Sequence, residues 1–391
     1  MTGESVAADL DRFEWDSEAS IAYEVAVEAV SQAVAAITPL GVTARRQGDD
    51  AAVAELTALR MRCIAARDQL RPADDAAVAH ATRRYRALAE QFDWQAGPPG
   101  PVDADSSLLA DEQSRRIFRD EITPEELAHG VSQESPVVVF VAGQPGAGKT
   151  MTTESVKRAV DRRGGAIVVN SDFYKPYHPR YRRLLRTDDR NAAPYTSADG
   201  RRWMAAAERY LIDRRVDTIV ETTMRDPGDF LEPAALFRTA GYRVEAVILA
   251  VPEALSRLGI IHRYHCQLRE LGQGRLTAQS NHDTSYAGVR QAAEVIDRDG
   301  IVDVVGVHRR GNHRLHVNHL DGPGGQSRPA GTAATIDAER RRPWTPAETR
   351  AFAATVSRLA AEIDPDWYAE LREIVRLADP LADPRTPLPR I

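Results

Sequence analysis

The chain has 391 residues, which is long for one domain and predicts two domains, or one domain with a tail. Its 51 Lys and Arg residues against 57 Asp and Glu residues give a net charge of −6, which excludes a globally basic nucleic-acid-binding protein. Hydrophobic residues make up 43% and charged residues 28% of the chain, a globular mixture that excludes wholesale disorder.

The beginning of the chain and the two cysteines favour a cytoplasmic protein. The first residues are acidic rather than basic, unlike the start of a signal peptide. The longest uncharged stretch near the start, residues 29–44, is too short and too polar for us to expect a membrane span. Cys63 and Cys266 fit no paired metal or redox spacing and agree with a reducing compartment. We expect a soluble protein with neither a membrane nor a nucleic-acid partner.

Three amphipathic helices are predicted in the first hundred residues. Apolar residues recur there at helical spacing, and Pro39 with Gly41 predicts the end of the first helix. Short turns between such helices favour a small bundle, and the Pro- and Gly-rich run at 97–101 predicts a linker after it. The first domain is therefore expected at residues 1–100. The predicted helices cover 18–37, 49–70 and 74–92.

Residues 101–320 show alternating strands and helices. Short apolar runs typical of strands buried on both faces are separated by helical stretches, which predicts an α/β fold with a parallel sheet flanked by helices. Residues 321–391 are predicted to be a linker, flexible to about Thr335, followed by a helical C-terminal tail over 346–363 and 365–377. The predicted strands are 137–142, 166–170, 218–220, 244–251 and 302–307, and the helices between them are 150–162, 200–214, 232–239, 252–271 and 286–299.

A glycine-rich motif follows the first predicted strand and opens a helix, the context that a phosphate-binding P-loop requires. Its glycines let backbone N–H groups point at phosphates, and the helix start adds the positive end of its dipole. Lys149 would bind the β- and γ-phosphates, and the Thr150 hydroxyl would bind Mg²⁺. The sequence therefore predicts a site for ATP and Mg²⁺. The motif consists of Gly143, Gln144, Pro145, Gly146, Ala147, Gly148, Lys149 and Thr150.

Two carboxylates at strand ends are candidates for contact with a phosphoryl acceptor. Asp172 follows the strand 166–170, where it could accept a proton from a substrate hydroxyl or help to hold the metal. A helix or turn cap is the alternative for this residue. Glu221 ends the run 218–220 and could contact the substrate, with a salt bridge to Arg225 as its alternative.

Arginines recur through residues 252–277. Arg263 and Arg275 are separated by the end of a helix and by a Gly-Gln-Gly joint at 272–274, which suits a lid. Arginine side chains on such a lid could stabilise a transferring phosphoryl group while water is excluded. Spacing alone favours the alternative, a solvated basic helix face.

Residues 136–318 resemble the zeta toxins, which are P-loop kinases of toxin–antitoxin systems. Five blocks in the right order carry the resemblance. They are the P-loop at 143–150, Asp172 with His-Pro-Arg-Tyr at 178–181, Ile-Val-Glu-Thr-Thr-Met-Arg-Asp-Pro at 219–227, Ala-Val-Pro at 250–252 with Leu-Gly at 258–259 and Arg-Tyr at 263–264, and Gly-Arg at 274–275 before His-Asp at 282–283.

The resemblance implies an ATP- and Mg²⁺-dependent kinase whose acceptor is a hydroxyl on the amino sugar of UDP-N-acetylglucosamine. The implied catalytic residues are Asp172 as general base, Lys149, Arg263 and Arg275. The implied acceptor contacts are Asp172, Glu221, Thr222 and Arg225, and the implied metal ligand is Thr150.

Two departures from the family pattern leave the acceptor open. Lys175 stands where relatives commonly have an arginine, and Glu221-Thr222-Thr223 replaces an acid-Gly-Thr sequence. A P-loop kinase of another metabolite, such as NAD or an antibiotic, is one alternative. A nucleotide-dependent switch or binding module is another.

The N-terminal bundle resembles the separate three-helix antitoxin of this family in general architecture only. It is either an antitoxin-like element that acts in cis on the ATP site, or an unrelated bundle that provides stability or binds a partner. The expected partners are therefore a nucleotide-sugar substrate and, as the antitoxin, either a separate protein or the bundle itself acting in cis.

Overall fold

The computed structural model describes residues 5–96, 108–190, 192–320 and 331–391. Within them, one six-stranded sheet has the order β2-β3-β1-β4-β5-β6. The first five strands are parallel, and β6 is antiparallel to β5. The α/β fold of a P-loop kinase, with helices around a mostly parallel sheet, is confirmed. The strands are β1 (Val137–Ala142), β2 (Ile167–Val169), β3 (Thr218–Thr222), β4 (Arg243–Leu249), β5 (Val304–Arg309) and β6 (His313–His319).

The antiparallel edge strand β6 was not among the strands predicted from the sequence. It follows β5 through a tight turn in which Gly311 and Asn312 have φ values of 78° and 55°. Glycine and asparagine tolerate this left-handed conformation, so the chain reverses here instead of crossing over through a helix. The charged and histidine-rich composition of β6 hid its strand character.

Helices cover the sheet. The helices of this part of the chain are α4 (Asp111–Ile117), α5 (Lys149–Asp161), α6 (Ser171–Tyr174), α7 (Tyr181–Thr187), α8 (Ala192–Arg214), α9 (Gly228–Thr239), α10 (Glu253–Leu271) and α11 (Gln279–Asp299), with a π-helix at Phe118–Leu127. Of these helices, α5, α8 and α9 make the strand contacts that stand out.

The predicted three-helix N-terminal region is present as α1 (Ser17–Gln47), α2 (Asp50–Gln69) and α3 (Asp75–Ala96). The predicted end of the first helix was wrong, because α1 continues through Pro39 and ends at Gly48, whose φ is 70°. Proline removes one hydrogen bond of the helix. Packing outweighs this loss, since α1 is buried between α2, α3 and the kinase fold on both sides of Pro39.

In the described part of the chain, α1 is the one helix that is long and apolar enough to cross a membrane. Most of its apolar stretch, 72%, is buried inside the protein, with Ala26, Ala33 and Ile37 almost fully covered. The core helix of a compact protein has the same length and composition. The structure therefore uses this apolar surface for internal packing.

The bundle and the sheet share one apolar cluster, which runs from Val30 and Ile37 of α1 to Phe140 of β1 and Ile248 of β4. Buried ion pairs also join the bundle to the π-helix. Arg60 of α2 donates to Glu125 at 2.6 and 3.1 Å, and Arg67 donates to Glu126 at 2.7 and 3.2 Å. Breaking such desolvated pairs is costly, so the bundle is firmly attached.

The C-terminal helices are α12 (Thr332–Arg341), α13 (Pro346–Glu362) and α14 (Tyr368–Ala378). The flexibility predicted as far as Thr335 was wrong from Thr332 onward, because Asp297 accepts hydrogen bonds from the first two backbone amides of α12. Helices α13 and α14 pack a separate apolar cluster against α10. The predicted domain boundaries near residues 100 and 321 lie outside the described residues and stay predictions.

Candidate functional site

The P-loop lies between β1 and α5, at the carboxyl edge of the sheet. Gly146 and Gly148 have φ values of 75° and 92°, which residues with side chains rarely adopt. A side-chain carbon on Gly146 would lie 2.0 Å from the carbonyl oxygen of Ser256 in α10. Glycine is therefore required at this position both by backbone conformation and by the close approach of α10.

The residues of the motif divide into two groups. Pro145, Gly146, Gly148, Lys149 and Thr150 line a cavity, whereas the other three residues support the loop. The side chain of Gln144 is fully buried and donates to the carbonyl of Val251, so its predicted contact with nucleotide is limited to its backbone. Gly143 and Ala147 are on the side of the loop that faces the protein interior, and Ala147 is fully buried.

Lys149 is folded back onto its own loop. Its Nζ donates to the carbonyl of Gly143 at 2.8 Å and to that of Gln144 at 3.4 Å. Burial lowers the pKa of Lys149, and the nearby carboxylates of Glu221 and Glu24 oppose that shift. The ammonium group therefore has weak local partners, which a phosphate can replace.

One cavity of about 1350 Å³ brings the predicted site residues together. It extends from the P-loop to the carboxyl ends of β2 and β3, and α1 and α2 form its roof. The sequence-predicted residues in its wall outside the P-loop are Asp172, Glu221, Thr222, Arg225, Arg263 and Arg275.

Asp172 lies in the short helix α6, directly after β2. The side chain of Asn170 caps this helix by accepting from the Asp172 backbone N–H at 2.9 Å, so the carboxylate of Asp172 is available for other contacts. It pairs with Lys175 Nζ and with Arg275 Nη1, each at 2.7 Å. Burial acts to raise the pKa of Asp172, but Arg275 and Lys175 outweigh it and hold that pKa well below its usual range.

The acidic and polar groups of β3 make separate contacts. Glu221 accepts from Asn170 Nδ2 at 3.1 Å, and burial raises its pKa against the opposing charge of Lys149. Within the described residues, no ion pair joins Glu221 to Arg225, which is exposed at the cavity wall. The Thr222 hydroxyl accepts from the backbone N–H of Met224 at 3.1 Å and so stabilises the turn after β3.

The two predicted lid arginines are paired and largely buried, so the solvated-face alternative was wrong. Arg263 of α10 pairs with Glu24 at 3.1 Å, and Arg275 pairs with Glu28 at 3.0 Å as well as with Asp172. Their side chains are only 17% and 16% exposed. Both glutamates belong to α1, so the N-terminal bundle neutralises the arginines of the site.

Sequence reasoning missed these two glutamates. Glu24 and Glu28 are four residues apart and therefore lie on one face of α1. A pair of carboxylates on one face of an otherwise apolar helix was the available signal. What the spacing does not reveal is that this face lies over the P-loop.

Comparison with known proteins finds a family match and related sequences. The family model of the zeta toxins matches residues 124–321, slightly more than half of the chain. Toxin zeta of Enterococcus hirae is 25% identical over 194 residues, which cover 49% of this chain and 67% of the relative. Toxin zeta of Streptococcus pyogenes is 25% identical over 210 residues, covering 53% and 72%.

A solved structure supports the same fold. It belongs to the PezAT chromosomal toxin–antitoxin system of Streptococcus pneumoniae and matches with a TM-score of 0.53 at 18% identity, over 65% of this chain and 98% of that one. At this identity the likeness concerns the fold alone. With the sequence match across residues 124–321, the chain belongs to the zeta toxin family, whose members are nucleotide-dependent, kinase-like phosphotransferases.

Proposed function

We propose that this protein transfers the γ-phosphoryl group of ATP to a hydroxyl of a small molecule, with UDP-N-acetylglucosamine as the favoured acceptor. The observation that carries the proposal is the single cavity that joins the P-loop to Asp172, Arg263 and Arg275. Phosphoryl transfer requires positioning and charge neutralisation rather than covalent catalysis, and these groups supply both.

The nucleotide phosphates would bind along the P-loop and at the start of α5. Lys149 would exchange its contacts with the loop carbonyls for the β- and γ-phosphates. Mg²⁺ would be held by the Thr150 hydroxyl together with phosphate oxygens. The donor set fits, because Mg²⁺ commonly takes one or two protein oxygen ligands and completes its shell with phosphates and water. The ion would neutralise the charge that builds up on the phosphoryl oxygens.

Asp172 would be the general base for the acceptor hydroxyl. In the free protein its two cationic partners keep it ionised and weakly basic. A γ-phosphate that recruited Arg275 would remove one of these partners and raise the basicity of the carboxylate. The same displacement would place Arg275 on the group being transferred, so substrate binding and base activation would be coupled.

The acceptor would occupy the part of the cavity beyond Asp172. The volume of about 1350 Å³ has room for a nucleotide sugar next to a triphosphate. Glu221, Thr222 and Arg225 border this region and would contact the acceptor. The family resemblance supports UDP-N-acetylglucosamine, and a cytoplasmic location would supply both substrates.

We further propose that the N-terminal bundle restrains this activity in cis. Its Glu24 and Glu28 pair with the arginines that would stabilise the transferred phosphoryl group. Two carboxylates at this place would also repel a triphosphate. A separate antitoxin protein, as in the PezAT system, remains the alternative source of restraint.

The kinase proposal is tested by incubating the full chain with ATP, Mg²⁺ and candidate acceptors, followed by mass spectrometry of the products. The Glu24→Gln/Glu28→Gln double variant is assayed in parallel, because restraint would lower activity in the unaltered protein. We expect a phosphorylated nucleotide sugar, and we expect Asp172→Asn to lose turnover by about 10²–10⁴-fold while ATP binding is retained.

Three other outcomes are informative. Phosphorylation of a different metabolite would show that the acceptor assignment is wrong and that the kinase assignment is right. ATP hydrolysis that no acceptor accelerates would favour the nucleotide-dependent switch. Full turnover in the Asp172→Asn variant would overturn the general-base assignment.

A further inference from the structure

The segment before α1, residues 5–16, forms a strap across the β4–β5–β6 side of the sheet. The Ala7 N–H donates to Glu245 at 2.8 Å, the Phe13 N–H donates to the carbonyl of Gly311 at 3.1 Å, and Arg314 donates to the carbonyl of Ala8 at 2.6 Å. These bonds fix the strap along the β5–β6 turn. Its last residues therefore reach the P-loop in a defined position.

Trp15 of the strap lies against the P-loop. A side-chain carbon on Gly148 would be 2.5 Å from the Trp15 ring, so glycine is what lets the indole approach this closely. The Arg310 guanidinium stands 4.8 Å from the centre of the same ring. The indole is thus held between a bare backbone surface and a cationic side chain.

Arg310 is itself fixed to the P-loop. Its Nη2 donates to the Gly146 carbonyl at 2.5 Å and to the Leu255 carbonyl at 3.2 Å, and its Nε donates to the Ala147 carbonyl at 3.2 Å. Burial lowers its pKa to about 10, which still leaves it charged at neutral pH. It is a rigid, planar cation whose donors bind the loop, and one face remains for an aromatic ring.

The sheet order gives the direction in which a bound nucleotide would extend. Asp172 comes directly after β2, and Glu221 lies in β3. Both strands are on the same side of β1, so the terminal phosphate would point to that side. The nucleoside at the other end of the triphosphate would then extend toward β4 and β5. Arg310 and Trp15 lie on this second side.

We propose that the Arg310 guanidinium, beside the P-loop, forms the stacking surface for the nucleotide base, and that Trp15 occupies this surface in the free protein. An indole and a purine are both flat bicyclic aromatic rings, and either can stack on a guanidinium. The base and Trp15 therefore compete, and the apparent affinity for ATP is reduced by the fraction of molecules in which the indole is bound. This inference rests on the proposed ATP site.

The test measures the affinity of the full chain for ATP and for inorganic tripolyphosphate by calorimetry, with Mg²⁺ present. The second ligand has the phosphates and no base. We expect Trp15→Ala to tighten ATP binding by about 5- to 10-fold and to leave tripolyphosphate binding unchanged. Arg310→Lys keeps the charge but loses the planar face, so it weakens ATP binding selectively. Trp94→Ala is the matched control, because Trp94 is 89% exposed on α3.

Equal tightening of both ligands by Trp15→Ala would overturn the proposal, since the indole would then obstruct the phosphates. Unchanged affinity for both would also overturn it. These failures differ from failure of the ATP site itself, in which the unaltered protein and all three variants would bind neither ligand. Thermal melting of each variant establishes that it is folded.

Discussion

The helices on the two sides of the kinase fold make similar contacts with α10 and differ in what those contacts cover. On one side, Glu24 of α1 pairs with Arg263, and on the other, Glu370 of α14 pairs with Arg257 at 2.6 Å. Arg263 lies in the wall of the P-loop cavity, whereas Arg257 does not. We therefore expect an ion pair between a flanking helix and the kinase fold to affect activity only where it lies at the phosphate site.

The apolar contacts differ in the same way. Helix α14 presents Leu371, Ile374 and Ala378 to α10, a packing surface without acidic residues directed at the site. Helix α1 combines an apolar core face with Glu24 and Glu28 over the cavity. We infer that the C-terminal helices stabilise α10 and that α1 acts on the chemistry.

The largest expected effect compares the two arginines of α10. Arg263→Ala should reduce turnover by about 10³-fold, as in other phosphoryl-transfer sites that lose an arginine from the transferred group. Arg257→Ala should leave turnover within about two-fold and should lower stability, because Glu370 loses its partner. Initial rates and thermal melting of both variants make the comparison. Equal loss of turnover in the two would remove the distinction between the flanks.

The next effect concerns the C-terminal packing surface. Leu371 is fully buried, so Leu371→Ala should lower the free energy of unfolding by about 2–4 kcal/mol through lost burial and the cavity that remains. Denaturant unfolding gives this value, and turnover of the folded fraction should be unchanged. A large fall in turnover at full folding would mean that the C-terminal helices also take part in catalysis.

A third prediction concerns a buried glutamate that, unlike Glu24 and Glu28 of α1, has no ion pair among the described residues and should make stability depend on pH. Glu208 of α8 is buried in the cavity wall without an ion pair among the described residues, and burial raises its pKa to about 8. Because the pKa of Glu208 is higher in the native state than in the unfolded state, the native state binds more protons at pH values between about 4.5 and 8. Its contribution to stability is therefore present below about pH 4.5 and is lost as the pH rises through 8.

Between pH 5 and pH 8, the free energy of unfolding should fall by about 3 kcal/mol through this group. Glu208→Gln should remove that part of the slope, and the exposed control Glu55→Gln should keep it. Unfolding curves at several pH values test this. A slope that is the same in all three proteins would mean that Glu208 is ionised throughout the range.

The sequence predicted the features that depend on local pattern. The P-loop and the five parallel strands could be recognised because glycine spacing and apolar runs are local signals. The gathering of Asp172 and Arg275 near the P-loop was expected from the family resemblance. The ion pair between Arg275 and Glu28 could not be predicted, because these residues are 247 positions apart and only the packing of α1 brings them together.

Helix α1 also shows why its boundary was missed. Pro39 is a reliable local stop signal in isolation, and burial on both sides outweighs it here. Trp15 gave no signal in the sequence, since a single tryptophan in an acidic segment has many possible environments. Its contact with Gly148 depends on the strap, whose course is set by hydrogen bonds to the β5–β6 turn.

The smallest expected effect tests restraint by α1. Removing residues 1–100 would expose the apolar cluster that the bundle shares with the sheet, so loss of activity in such a truncated chain would not separate restraint from unfolding. Glu24→Gln and Glu28→Gln are isosteric and keep that packing. Each removes a partly buried ion pair, worth about 1 kcal/mol, so each should tighten ATP binding by about five-fold.

The double variant should show at least the combined gain, together with higher turnover. Glu18→Gln is the matched control, because Glu18 lies on the same helix and pairs with the C-terminal Arg358 outside the cavity. If the two site variants bound ATP no more tightly than the control, α1 would be a structural cover, and the difference between the flanks would lie in packing alone. Any restraint would then have to come from a separate protein. Arg263 and Arg275 would also have to release Glu24 and Glu28 and bind phosphate without a measurable loss of ATP affinity.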